Sequence, residues 1–86
     1  MAKILLLEDD EILSETLTEL LSSENFEVTN VNDGEKALDA SFMQYFDLLL
    51  LDVNVPFLNG FEFLKSLRDS GDMTPAIFIT ALTDVA

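Results

Sequence analysis

The sequence predicts an α/β fold, a doubly wound parallel sheet built in the order βαβαβαβ. Ile4–Leu7 and Leu48–Leu51 are unbroken aliphatic runs of strand length, the pattern of strands buried on both faces. Between and after them the apolar residues switch to helical spacing, and strands that alternate with helices pair in parallel with right-handed crossovers. Both runs also end abruptly in acid, Glu8-Asp9-Asp10 after the first and Asp52 after the second.

The elements follow in turn. Residues 3–7 form the first strand. Residues 11–23 carry Ile12, Leu13, Leu17, Leu20 and Leu21 at helical spacing, with Ser14, Glu15, Thr18 and Glu19 on the other side. Phe26–Asn30 alternates as a strand with one wet face, as expected near a sheet edge. Asn32-Asp33-Gly34 supplies turn and capping chemistry for a helix reaching to about Tyr45, with Ala37, Leu38, Ser41 and Phe42 inward. A third strand covers about Asp47 to Leu51. A loop through Pro56 ends at Asn59-Gly60, and the next helix carries Phe61, Leu64 and Leu67 and stops near Ser70-Gly71. Pro75 opens a fourth strand, Ala76–Ile79, which ends in Thr80.

Composition removes several functions. The 86 residues suffice for one small domain or part of one, and 49% apolar content argues against disorder. There is no cysteine and no histidine, which excludes disulfides, thiolate metal sites, imidazole bases and a Ser-His-Asp triad. Seventeen acids against four bases give a formal charge of −13, a sign that repels nucleic acid and anionic membrane. No window resembles a signal peptide or membrane span, so a cytoplasmic protein is expected.

The acids carry the chemistry. Taken singly, Asp52 is either a turn cap or a reactive carboxylate, and Glu8, Asp9 and Asp10 are either a solvated loop or a helix cap. Together they emerge at one edge of one sheet, where α/β folds build their sites. Close like charges are costly unless a cation or proton joins them, and a divalent metal is the economical answer.

These residues resemble a family. Glu8-Asp9, Asp52 with Pro56 and Gly60 downstream, and Ile79-Thr80-Ala81 look like the receiver domain of bacterial two-component response regulators, whose fold is flavodoxin-like. The resemblance runs from Lys3 to about Leu82. It implies that Asp52 takes a phosphoryl group from a phosphohistidine on a sensor histidine kinase. It implies Mg²⁺ held by Asp9, Asp52 and the backbone carbonyl of Asn54, with Glu8 acting through water; an oxygen-only set suits that hard cation. Thr80 becomes the switch hydroxyl, Ala81 leaves access to the phosphoryl group, Asn54 and Leu82 tune its lifetime, and Asp10 is a loop residue or cap. Pro56 shapes the loop after Asp52, and Gly60 permits the start of the third helix. The family continues through a fourth helix, a fifth strand bearing a lysine and an aromatic residue, and a fifth helix. Residues 1–86 are therefore expected to be the N-terminal part of a receiver. Lys65 is expected to be a solvated surface residue. The output domain, of DNA-binding type in many such proteins, lies outside this segment.

Other readings fit less well. A haloacid-dehalogenase-type phosphatase needs an acid two positions after its nucleophile, where this chain has Asn54. The first loop lacks the glycines of a Walker or dinucleotide site, the Ser/Thr/Gly-rich phosphate loop of a flavin protein, and the alternating ligands of a calcium loop. A receiver-like interaction module that works without phosphorylation is the alternative from another class. The uncovered sheet edge also leads to an expectation of self-association or exchange of elements between copies.

Overall fold

The computed structural model describes residues 1–79. Its elements are β1 (Lys3–Leu7), α1 (Glu11–Ser23), β2 (Glu27–Val31), α2 (Gly34–Met43), β3 (Leu48–Asp52), α3 (Gly60–Asp69) and β4 (Ala76–Ile79). The strands form one parallel sheet in the order β2-β1-β3-β4. The predicted order and the adjacency of the first, third and fourth strands are therefore observed. Thr80, Ala81 and Leu82 lie outside the described residues.

Each helix begins where a side chain satisfies its first free N–H groups. Asp10 Oδ1 accepts from Leu13 N at 3.0 Å, which makes Asp10 the cap of α1. Asp33 Oδ1 accepts from Lys36 N at 2.8 Å to start α2. Asn59 and Glu62 form a reciprocal capping box at α3, with hydrogen bonds of 2.9 and 3.0 Å. Asn25, at φ 67°, ends α1 in the left-handed region, and Phe26 N–H reaches back to Leu21 O at 3.1 Å.

The core explains which strands matter. Ile4–Leu7 of β1 are all buried, as expected for a central strand. Leu5, Leu7, Leu49 and Leu51 share one face and pack with Ala37, Phe46, Val55, Phe63 and Leu67 under α2 and α3. The second aliphatic run departs from expectation. Leu49 and Leu51 are buried, but Leu48 and Leu50 are only half-buried, because α1 packs on β2 rather than across β3 on that face.

Three helix faces also depart from the predicted stripes. On α1, Ile12 and Leu20 are exposed while Ser14 is buried. Ser14 tolerates this because its hydroxyl donates to Glu11 O at 3.1 Å. On α2, Ala37 is buried and Leu38 and Ser41 half-buried as expected, but Phe42, one residue before the end of the helix, is exposed. On α3, Phe63 is the buried anchor. Phe61 is more than half exposed and instead leans its ring against Phe78, centroid to centroid 4.8 Å. Lys65 is exposed and pairs with Asp69 at 2.9 Å, the surface role expected for it.

Candidate functional site

The register of the sheet assembles the site. Leu6 lies opposite Leu50 and Leu7 opposite Leu51, so continuing by one residue sets Glu8 beside Asp52. Asp9 follows on the loop into α1. One carboxylate oxygen from each of Glu8, Asp9 and Asp52 lies within 4.8 Å of the others. Glu8 is buried, Asp52 half-buried and Asp9 exposed, so the cluster grades from the sheet outward to solvent.

Backbone hydrogen bonds fix these side chains from both sides. Glu8 N–H donates to Val31 O at 3.0 Å, tying the end of β1 to β2. Asp10 N–H donates to Glu8 Oε2 at 3.0 Å, and Asn54 N–H to Asp52 Oδ1 at 3.3 Å. Behind Asp52, Gly60 N–H donates to Val53 O at 3.0 Å. A β carbon on Gly60 would collide with the carbonyl oxygen of Asp52, so glycine is required for α3 to start this close to the end of β3.

The electrostatics follow from the packing. Burial pushes the Glu8 carboxyl up to about 7; the charges of Asp52 and Asp9 and a hydrogen bond to Asp52 add to it, and the Asp10 N–H opposes it. The mutual repulsion read from the sequence is present, but burial is the larger cause. Among the described residues, the ion pairs of Lys3, Lys36 and Lys65 go to Glu27, Asp33 and Asp69, and Arg68 donates to Asp72 O at 2.9 Å. None of these cations reaches the cluster. Three converging carboxylates without a counter-charge among the described residues fit a hard, oxygen-seeking divalent cation; Glu8 and Asp9 also line a polar cleft of about 340 Å³ with Glu11, Asn30 and Asn32. A larger cavity of about 420 Å³ lies between Phe42, Tyr45, Phe46, Leu49, Asp72 and Thr74; none of Glu8, Asp9 and Asp52 lines it, and it gathers no such cluster of charge.

The structure thus brings Glu8, Asp9 and Asp52 together and sets Asn54 on the loop beside them. Thr80 lies outside the described residues. Sequence reading did not single out Gly34 beyond its turn chemistry. Its signal, a glycine directly after a helix cap, takes on meaning only once Leu58 is seen to press against it.

Fold and site together define an α/β domain with a cluster of three carboxylates at the carboxyl edge of a parallel sheet. The response regulator receiver domain family matches residues 4–86, and the chain belongs to that family of two-component signalling domains. It is 49% identical over 81 residues to the transcriptional regulatory protein CpxR of Escherichia coli K12, covering 94% of this chain and 34% of CpxR. Among solved structures, it resembles the receiver domain of the sensor histidine kinase PA1611 of Pseudomonas aeruginosa PAO1, which holds a magnesium ion in its active-site cleft. That match has a TM-score of 0.88 and 30% identity, covering 96% of this chain and 70% of the other. It equally resembles the response regulator TrrA of Thermotoga maritima in complex with Mg²⁺ and BeF, with TM-score 0.88, 30% identity, and 99% and 77% coverage. The chain spans 34% to 40% of the length of the curated regulators it matches.

Proposed function

We propose that the chain accepts a phosphoryl group on Asp52 from a sensor histidine kinase. The convergence of the Glu8, Asp9 and Asp52 carboxylates within 4.8 Å carries this reading. A carboxylate oxygen of Asp52 attacks the phosphorus of a phosphohistidine; the P–N bond breaks and the imidazole nitrogen leaves with the electron pair. Asp9, Asp52 and the Asn54 carbonyl would hold Mg²⁺, with Glu8 acting through water. When bound, that ion supplies positive charge against the carboxylates and the incoming phosphoryl oxygens. The protein's own part is positional. Burial of Glu8 and the Asn54 N–H bond keep the Asp52 carboxylate fixed at the strand end, so little reorganisation is needed at transfer.

Thr80 is proposed as the switch hydroxyl that hydrogen-bonds the phosphoryl group, on the strength of the family pattern at Ile79-Thr80-Ala81. Residues 1–86 are proposed as the N-terminal part of the receiver. Control of transcription through a further domain is proposed from the likeness to regulators such as CpxR, whose name describes that role. Action in the cytoplasm is proposed from membership of the receiver family; no helix among the described residues is long and apolar enough to cross a membrane.

The test is incubation with acetyl phosphate and Mg²⁺ followed by mass spectrometry of the intact chain. One phosphoryl group is expected on the wild type, with at least a roughly hundredfold loss in Asp52→Asn, since the substitution removes the nucleophile itself. Equal labelling of both proteins would overturn the assignment. Absence of labelling in both would favour the interaction module that works without phosphorylation.

A further inference from the structure

Gly34, the first residue of α2, is buried, although it lies far from Asp52 in the sequence. Its N–H donates to Pro56 O at 3.4 Å. A β carbon there would fall on the carbonyl oxygen of Leu58 and press against its Cβ. The segment seated on Gly34 is strained. Leu58 N–H closes a three-residue turn on Pro56 O at 2.8 Å, and Phe57 at its centre has φ 70°, a conformation that a bulky side chain adopts only when its surroundings impose it. Phe57 is 80% exposed, so its own ring contributes little to that imposition. The backbone around it must, and Gly34 seats the start of α2 directly against that backbone.

The same loop leads back to the site. Val55 N–H donates to Val53 O at 3.2 Å, Val55 is buried in the core, and Asn54 N–H meets Asp52 Oδ1 at 3.3 Å. The 53–58 segment is therefore gripped at two glycines, Gly60 against the Asp52 carbonyl and Gly34 against the Leu58 carbonyl. We propose that Gly34 is a positioning residue for the acid site: it seats the loop so that Asn54 presents its backbone to Asp52 and to the cation. Any side chain at 34 lifts Pro56–Leu58 off α2 and drags Asn54 with it. This rests on the assignment of Asp52 and Asn54 to the Mg²⁺ site.

The experiment compares wild type, Gly34→Ala and Asp39→Gly, the last weakening α2 at an exposed position in its middle. Two readouts are taken: Mg²⁺ affinity by calorimetric titration, and amide hydrogen exchange without metal. Gly34→Ala is expected to weaken Mg²⁺ binding by roughly tenfold and speed exchange at Asn54 and Leu58, with Leu5–Leu7 unchanged, whereas Asp39→Gly stays within about twofold on both readouts. If Gly34→Ala matches the wild type on both, or Asp39→Gly weakens Mg²⁺ binding equally, the proposal fails. A wild type that binds no Mg²⁺ would overturn the site assignment instead, and the exchange readout would still decide whether Gly34 seats the loop. Should Gly34→Ala not fold, the double variant with Phe57→Gly gives the loop a residue at ease in the left-handed region. Wild-type Mg²⁺ affinity in that double variant would overturn the proposal, and weakened affinity would uphold it.

Discussion

Mg²⁺ at a hundredfold excess over its Kd is expected to raise the thermal midpoint of the chain at pH 8 by roughly 10–20 °C. The expectation combines ligand linkage of about 2.7 kcal/mol with the usual midpoint shift of about 4–8 °C per kcal/mol for a domain of this size. At that pH the metal-free acid cluster also opposes folding. Glu8 has its carboxyl raised from 4.5 to about 7 in the folded chain. Between those values the folded state keeps a proton that the unfolded state has lost, so stability is fully present below the lower value and falls as pH rises to the upper one. From pH 5.5 to 8 this single group accounts for about 2 kcal/mol of lost stability. Thermal scans without metal should therefore show a falling midpoint over that window, and Glu8→Gln should flatten the fall. With Mg²⁺ present the carboxylates are neutralised and the slope should shrink. A midpoint at pH 8 that ignores Mg²⁺ at matched ionic strength, or a slope unchanged in Glu8→Gln, would contradict this.

Phe63→Ala is expected to cost about 3–5 kcal/mol, the range for emptying a large buried side chain. Phe63 is fully buried among Leu5, Leu7, Leu49, Leu51 and Leu67, at the junction of α3 with the sheet. Native domains hold only about 0.05–0.15 kcal/mol per residue in reserve, so a loss of this size takes a large part of the stability of a chain this short. Urea unfolding followed by circular dichroism measures it. Phe61→Ala should cost about 1 kcal/mol, since that ring is more than half exposed and contributes chiefly its contact with Phe78. Equal losses for the two variants would show that the core is not arranged as described.

That pair of phenylalanines also shows where the sequence was legible and where it was not. The apolar residues of α3 admit two stripes, 61-64-67 and 63-67, and helical period alone does not choose between them. The choice depends on how Gly60 docks α3 against the Asp52 carbonyl, a contact between segments. Helix α1 poses the same difficulty. Its apolar residues at 12, 13, 17, 20 and 21 spread over half of the helix circumference, and the buried line through Ser14 is set by the packing of α1 on β2. The strands were easier, because four consecutive aliphatic residues followed by acid admit few arrangements. The acid cluster was legible for a related reason. Parallel register carries the ends of adjacent strands to the same edge, so Glu8 and Asp52 meet once β1 pairs with β3. Burial as the main cause of the raised Glu8 carboxyl was not legible, since it depends on the residues that close around it. Nor was the seat at Gly34, which exists only as a contact with a loop distant in sequence.

The central claim is that the acids at the ends of β1 and β3 form one cation site whose Asp52 takes a phosphoryl group. Fluorine NMR of the chain with beryllofluoride, a phosphoryl mimic that attaches to a carboxylate oxygen, tests both halves in one spectrum. A bound fluorine signal is expected with Mg²⁺ present, disappearing on chelation and absent in Asp52→Asn. A bound signal that survives chelation or the loss of the Asp52 carboxylate would contradict the account, as would none in the wild type at saturating Mg²⁺.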